Sequence, residues 1–155
     1  MEEKSMKKIS GFSIALTLCM AMLAGPASAQ QVPAQGALDE LVKMYCAAWN
    51  EPDAQHRREL LEKVWASAGT YTDPQSHVEG REALVEHIGR FLKNSPGARI
   101  IQSSHADFHH GMFRFAWKFV GGDGKTVMEG IDFGALGPDG KLQRIVGFFG
   151  PVKPL

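Results

Sequence analysis

The hydrophobic period of this chain changes once, at Asn94-Ser95-Pro96-Gly97. Before that punctuation apolar residues recur three and four apart, the spacing of one helix face. After it they alternate, the spacing of one strand face. A chain that places its helices first and its strands afterwards does not build repeating βαβ units. It reads as α+β, a helix layer packed on one antiparallel sheet.

Leu38, Leu41, Val42, Tyr45 and Trp49 mark a first helix from Ala37, closed by Asn50-Glu51-Pro52-Asp53. Leu60, Leu61, Val64 and Trp65 predict a second helix over 57–66, which Gly69 breaks. Thr70-Tyr71-Thr72 is a short β-prone stretch. A third helix starts near Gly80 with Leu84, His87, Ile88, Phe91 and Leu92 as its stripe. Residues 99–104 and 106–109 read as one long bent strand, and Phe113, Phe115, Trp117 and Phe119 alternate along the next. Gly121-Gly122-Asp123-Gly124 and Gly137-Pro138-Asp139-Gly140 are turns that separate two further strands, 126–136 and 141–149. A helix layer on a strongly curved, twisted sheet leaves a cone open at one end.

The segment ahead of these elements has another character. Lys7 and Lys8 precede an apolar run from Phe12 to Leu23, and Ala27-Ser28-Ala29 follows as a small-residue cleavage site. The run is short for a bilayer span. The expected organisation is a signal peptide over 1–29 cleaved after Ala29, a flexible lead-in over 30–36, one domain over 37–151 and a tail over 152–155. The destination is periplasmic or secreted, with no stable membrane anchor after processing. The processed chain carries 14 Lys and Arg against 15 Asp and Glu, so it offers no broad basic field for nucleic acid. Its single cysteine, Cys46, forms no internal disulfide and reads as a small buried hydrophobe.

Three residues point to acid–base chemistry. Asp132 lies in an apolar strand, Gly130-Ile131-Asp132-Phe133, between two glycines on its own face. Glycine inside a strand marks a bend or a close approach to the backbone, and a carboxyl among apolar neighbours tends to be neutral, paired or facing a pocket. Asp73 precedes Pro74, whose ring holds it in extended geometry at the end of a short strand. Tyr45 places a phenol on the apolar face of the first helix, where it needs a hydrogen-bond partner. An ordinary bulge, a turn aspartate and a core aromatic are the plainer readings of each residue taken singly. The histidines supply no recognisable metal pattern: His109 and His110 are adjacent and face opposite sides of a strand.

Together these residues resemble the nuclear transport factor 2-like superfamily, and within it the SnoaL-like and ketosteroid isomerase-like enzymes. The resemblance runs from about Leu38 to Pro151. Val42-Lys43-Met44-Tyr45-Cys46-Ala47-Ala48-Trp49-Asn50 is similar to the helix carrying the isomerase's oxyanion-hole tyrosine. Tyr71-Thr72-Asp73-Pro74 before Gly80-Arg81-Glu82-Ala83-Leu84 is similar to the segment carrying its base. Gly130-Ile131-Asp132-Phe133 is similar to the strand carrying its second oxyanion donor. The resemblance implies a cone-shaped α+β fold and Asp73, Asp132 and Tyr45 as catalytic residues, with no metal and no cofactor. His77, Trp49, Trp117 and Phe133 are the candidate substrate contacts, His77 from a loop folded over the mouth. The implied partner is a small hydrophobic molecule, turned over by an isomerase or cyclase or simply bound; the alternative to both is a dimeric interaction domain. A homodimer through the exposed sheet face is expected with any of these.

Overall fold

The computed structural model describes residues 35–155. The signal segment and most of the lead-in lie outside the described residues. Helix α1 (Gln35–Trp49) buries Leu38, Val42, Tyr45, Cys46 and Trp49, one stripe at helical spacing. Asn50 then fastens its end to the sheet. The Asn50 side chain donates to the carbonyls of Cys46 and Ile100 at 2.9 and 2.8 Å and accepts the Ile100 N–H at 2.7 Å. Helix α2 (Ala54–Val64) starts at Asp53, whose carboxylate accepts the His56 N–H at 2.9 Å.

The second helix ends earlier than its periodicity predicts. Trp65 and Ala66 open strand β1 (Trp65–Asp73), in which Trp65 pairs with Leu142. Spacing alone leaves Trp65 free to finish a helix or begin a strand. Sheet pairing decides, together with a fully buried ring stacked on Tyr45 at 5.7 Å. Strand β2 (Ser76–Glu79) returns antiparallel from β1, so His77 sits in a strand and not in a loop over the mouth. Gly80, with φ 85°, leads into α3 (Arg81–Asn94).

The long bent strand is two short ones, β3 (Arg99–Gln102) and β4 (Asp107–His109), both antiparallel to β5 (Met112–Val120). The break has a visible cause: Asp39 on α1 accepts the Ala106 N–H at 2.8 Å and draws the connection off the ladder. Strands β6 (Thr126–Leu136) and β7 (Leu142–Phe149) follow as predicted.

The sheet order is β2-β1-β7-β6-β5-β3, with β4 also on β5. The fold is α+β as expected, a curved and unclosed sheet under three helices. One seam was not foreseen: β1 and β7 run parallel, so the sheet is mixed. Tyr71, Phe113, Phe115, Trp117, Asp132 and Ile145 face inward beneath the helices. Ile131, Phe133 and Phe148 face outward and stay exposed. Among the described residues, no helix is long and apolar enough to cross a membrane.

Candidate active site

The mouth of the cone opens into a cavity of about 620 Å³. Asp73, Asp132 and Tyr45 all line it, as do Trp49 and Trp117. Three elements converge to make this so. Tyr45 comes from the buried stripe of α1, Asp73 from the last residue of β1 and Asp132 from the middle of β6.

Strand β7 lies between the two acids. Asp132 pairs directly with Gly147, and Thr72, the neighbour of Asp73, pairs with Val146. A β-carbon at Gly147 would stand 3.0 Å from Asp132 Oδ1 and 3.7 Å from Asp73 Cβ. The missing side chain leaves room for the Asp132 carboxyl, with Asp73 at ordinary contact distance on the same inner surface.

Asp132 is 5% exposed and accepts one hydrogen bond, from Trp117 Nε1 to Oδ1 at 2.7 Å. Burial pushes its pKa up to about 7; the Trp117 donor opposes that rise and the charge of Asp73 adds to it. Asp73 is half-buried and its oxygens are separately engaged. Oδ1 accepts the Gln75 N–H at 2.7 Å, and Oδ2 accepts the Tyr71 hydroxyl at 2.8 Å. Tyr45 is fully buried, and among the described residues its hydroxyl has no hydrogen-bond partner. Burial holds its pKa well above the ordinary phenol value, and the Asp132 and Tyr71 charges add to that. The Trp49 indole opposes the rise without reaching hydrogen-bond geometry.

The glycines beside Asp132 do not clear space for a ligand. Trp117 pairs with Gly130 and Phe113 with Gly134, and each ring covers its glycine so that a β-carbon there would overlap it. The rings that fill the two gaps include the one that holds Asp132.

Two expected contacts lie elsewhere. His77 projects from β2 on the outer face, where its ring nitrogens meet Thr72 Oγ1 at 2.8 Å and Glu79 Oε1 at 3.1 Å. Phe133 is 41% exposed and packs edge-on against Phe148, because alternation puts it on the face opposite Asp132.

Two cavity residues went unrecognised. Tyr71 shares the face of Asp73 by strand alternation, a signal present in Tyr71-Thr72-Asp73. His87, read as part of a half-buried helix stripe, packs against both Trp49 and Tyr71. Burial keeps its pKa low, Asp73 opposing and Arg90 reinforcing that shift. Cys46 also touches the cavity, its thiol pushed up to about 12 by burial and so a poor nucleophile. Among the described residues, no group of three or more His, Cys, Asp or Glu is placed to hold a metal ion.

The family model of the SnoaL-like domain matches residues 42–145. The crystal structure of a proposed isomerase of the SnoaL-like family from Agrobacterium tumefaciens superposes with a TM-score of 0.69. It is 32% identical in sequence, over 72% of this chain and 96% of that one. Two more distant structures share the fold. One is a protein with a ketosteroid isomerase-like fold from Catenulispora acidiphila, at TM-score 0.59 and 15% identity over 72% of this chain and 85% of that one. The other is a proposed polyketide cyclase from Sinorhizobium meliloti, at TM-score 0.58 and 15% identity over 75% and 100%. No curated protein matches the chain.

Proposed function

This chain belongs to the SnoaL-like domain family, and from that premise we propose that it is an exported, cofactor-independent acid–base enzyme, an isomerase or cyclase of a small apolar carbonyl compound. The observation that carries the reading is a pair of unlike carboxyls in one aromatic cavity. Asp132 is buried and retains its proton to about pH 7, while Asp73 is half-buried and hydrogen-bonded at both oxygens. Environments that differ this much divide two like groups into acid and base.

The roles follow the resemblance to ketosteroid isomerase, which is a standard example of this division. Asp73 takes the proton from the carbon next to the carbonyl. The electrons of that C–H bond form the enolate, whose oxygen is held by the Tyr45 hydroxyl and protonated Asp132. Where a C=C bond is conjugated with the enolate, the proton returns from Asp73 to the far carbon of that system. Otherwise the enolate carbon attacks a second carbonyl, whose π electrons go to its oxygen, and that oxygen takes the proton from Asp73. Tyr45 supports this reading because it lines the cavity and its buried hydroxyl has no hydrogen-bond partner among the described residues. One preorganised donor lowers such a barrier by roughly 3–4 kcal/mol.

Hydrogen–deuterium exchange next to the carbonyl of a series of aryl and cyclic ketones tests the chemistry without knowledge of the natural substrate. The chain accelerates exchange, and Asp73→Asn abolishes it with a nearly unchanged melt. Equal exchange in the variant sinks the acid–base reading.

One observation favours a second reading, a binding protein without turnover. Both Asp73 oxygens already accept hydrogen bonds, as they would in a purely orienting role. Ketone binding with no exchange at any pH would mark that case. Under either reading we place the protein outside the cytoplasm, with an N-terminus at Gln30 that sequencing of the exported form checks. The exposed Ile131, Phe133 and Phe148 support a homodimer through the outer sheet face, which sedimentation tests.

A further inference from the structure

The acid–base reading leaves the rim of the cavity without a role. The interior is lined with aromatic rings from Trp49, Phe91, Phe115, Trp117, Phe119 and Phe149. The rim is polar. Gln75 comes from the turn after Asp73 and Ser76 opens β2, while Arg90 and Asn94 come from the C-terminal end of α3 and Ser95 caps it. Helix spacing explains the second group, since His87, Arg90, Phe91 and Asn94 lie three and four apart and share one face.

Arg90 is the one lysine or arginine among the residues lining the cavity. Its ion pair with Glu86 spans 4.0 Å between two side chains that are 64% and 75% exposed, a geometry that holds neither group firmly. Arg90 lines the cavity with His87, one helical turn away, and adds to the lowering of the His87 pKa that burial causes. It therefore stands close enough to the cavity to act on a molecule bound there.

We propose that the molecule this cavity accepts is an amphiphile, with an apolar ring-bearing carbonyl body among the aromatic residues and a carboxylate at the rim against Arg90. The position of the carbonyl rests on the acid–base reading; the anion site does not. A planar guanidinium matches a carboxylate with two parallel hydrogen bonds, and the Asn94 amide beside it adds a further donor. Asp73 and Glu86 are the carboxyls that oppose an anion here; Glu86 is exposed and loosely paired with Arg90, and the Asp73 oxygens are already bonded to the Gln75 N–H and the Tyr71 hydroxyl. Burial favours the neutral form of the His87 imidazole and Asp132 is protonated below about pH 7, so the interior suits an uncharged body and the rim suits its anionic end.

Titration calorimetry of the purified chain with 2-acetylnaphthalene and 6-acetyl-2-naphthoate tests the proposal at pH 6. These probes share a ring system and a ketone and differ by one carboxylate. At low salt the naphthoate binds about tenfold more tightly, and the advantage shrinks as salt screens the rim charge. Arg90→Ala brings the two probes within about twofold of each other, while Arg90→Lys keeps part of the preference. Equal affinities in the unaltered chain, no binding of either probe, or a preference that survives Arg90→Ala would each overturn it. The same titrations in an Asp73→Asn chain separate the two ideas. An Arg90-dependent preference there supports the anion site even if ketone exchange shows that the acid–base reading has failed.

Discussion

Trp117 Nε1 donates to Asp132 Oδ1 at 2.7 Å while the Trp117 ring covers Gly130, the residue two before Asp132 on the same strand. One side chain therefore closes a gap in the sheet and fixes the buried acid. Trp117→Phe keeps most of the ring and removes the donor, which favours the ionised form of the carboxyl. The Asp132 pKa rises above its value of about 7 in the variant. Carbon-13 carboxyl NMR reads the shift directly, and an unchanged or lower value would show that the hydrogen bond does not govern this proton.

The same acid sets a pH dependence of stability. Folded Asp132 keeps its proton to about pH 7, against an ordinary value of 3.8. Between those limits the folded state binds more protons than the unfolded state, so stability falls as pH rises through the window. The contribution of this group amounts to at most about 4 kcal/mol. The stability advantage of Asp132→Asn over the unaltered chain grows from pH 4 to pH 7 and is flat above it. Parallel urea-unfolding curves for the two chains across that range would contradict this.

Tyr45 gives opposite signs for stability and chemistry. Tyr45→Phe removes a buried hydroxyl that has no partner among the described residues, and raises stability by about 1 kcal/mol. It also removes a donor for the enolate oxygen and lowers ketone exchange about a hundredfold. A variant that melts earlier and exchanges normally would place the hydroxyl in a structural role.

Gly130→Ala places a methyl group against the Trp117 ring and the Phe148 carbonyl oxygen. Overpacking of this kind destabilises by about 1–3 kcal/mol. Gly36→Ala, which meets nothing within 4 Å and lies in the first turn of α1, serves as the control and leaves stability unchanged or raises it by up to about 1 kcal/mol. Similar melts for both would mean that the sheet yields at Gly130.

Local patterns made much of this molecule legible. Helical spacing found the buried face of α1, and strand alternation put Asp132 on the inner face of β6. The same alternation already separated Phe133 from Asp132, so the exposed position of Phe133 was readable from the chain. Long-range partners were less accessible. The end of α2 depended on pairing between Trp65 and Leu142, and the break before β4 depended on Asp39 reaching Ala106. The glycines flanking Asp132 signal a bend or a close approach to the backbone, and nothing local shows that the Trp117 and Phe113 rings are what approaches them. Gly147 carried no signal of its own, since its importance arises only where β1 and β6 meet across β7.

That meeting has a consequence for synthesis. Strand β7 is the last strand of the chain, yet it sits between the strands bearing the two acids. A nascent chain released before Leu142 would contain Tyr45, Asp73 and Asp132 but lack the spacer that sets the acids side by side. The shared inner surface of the two acids would therefore form only when the ribosome has delivered β7, and C-terminal trimming into β7 would dismantle it while leaving all three residues in the chain.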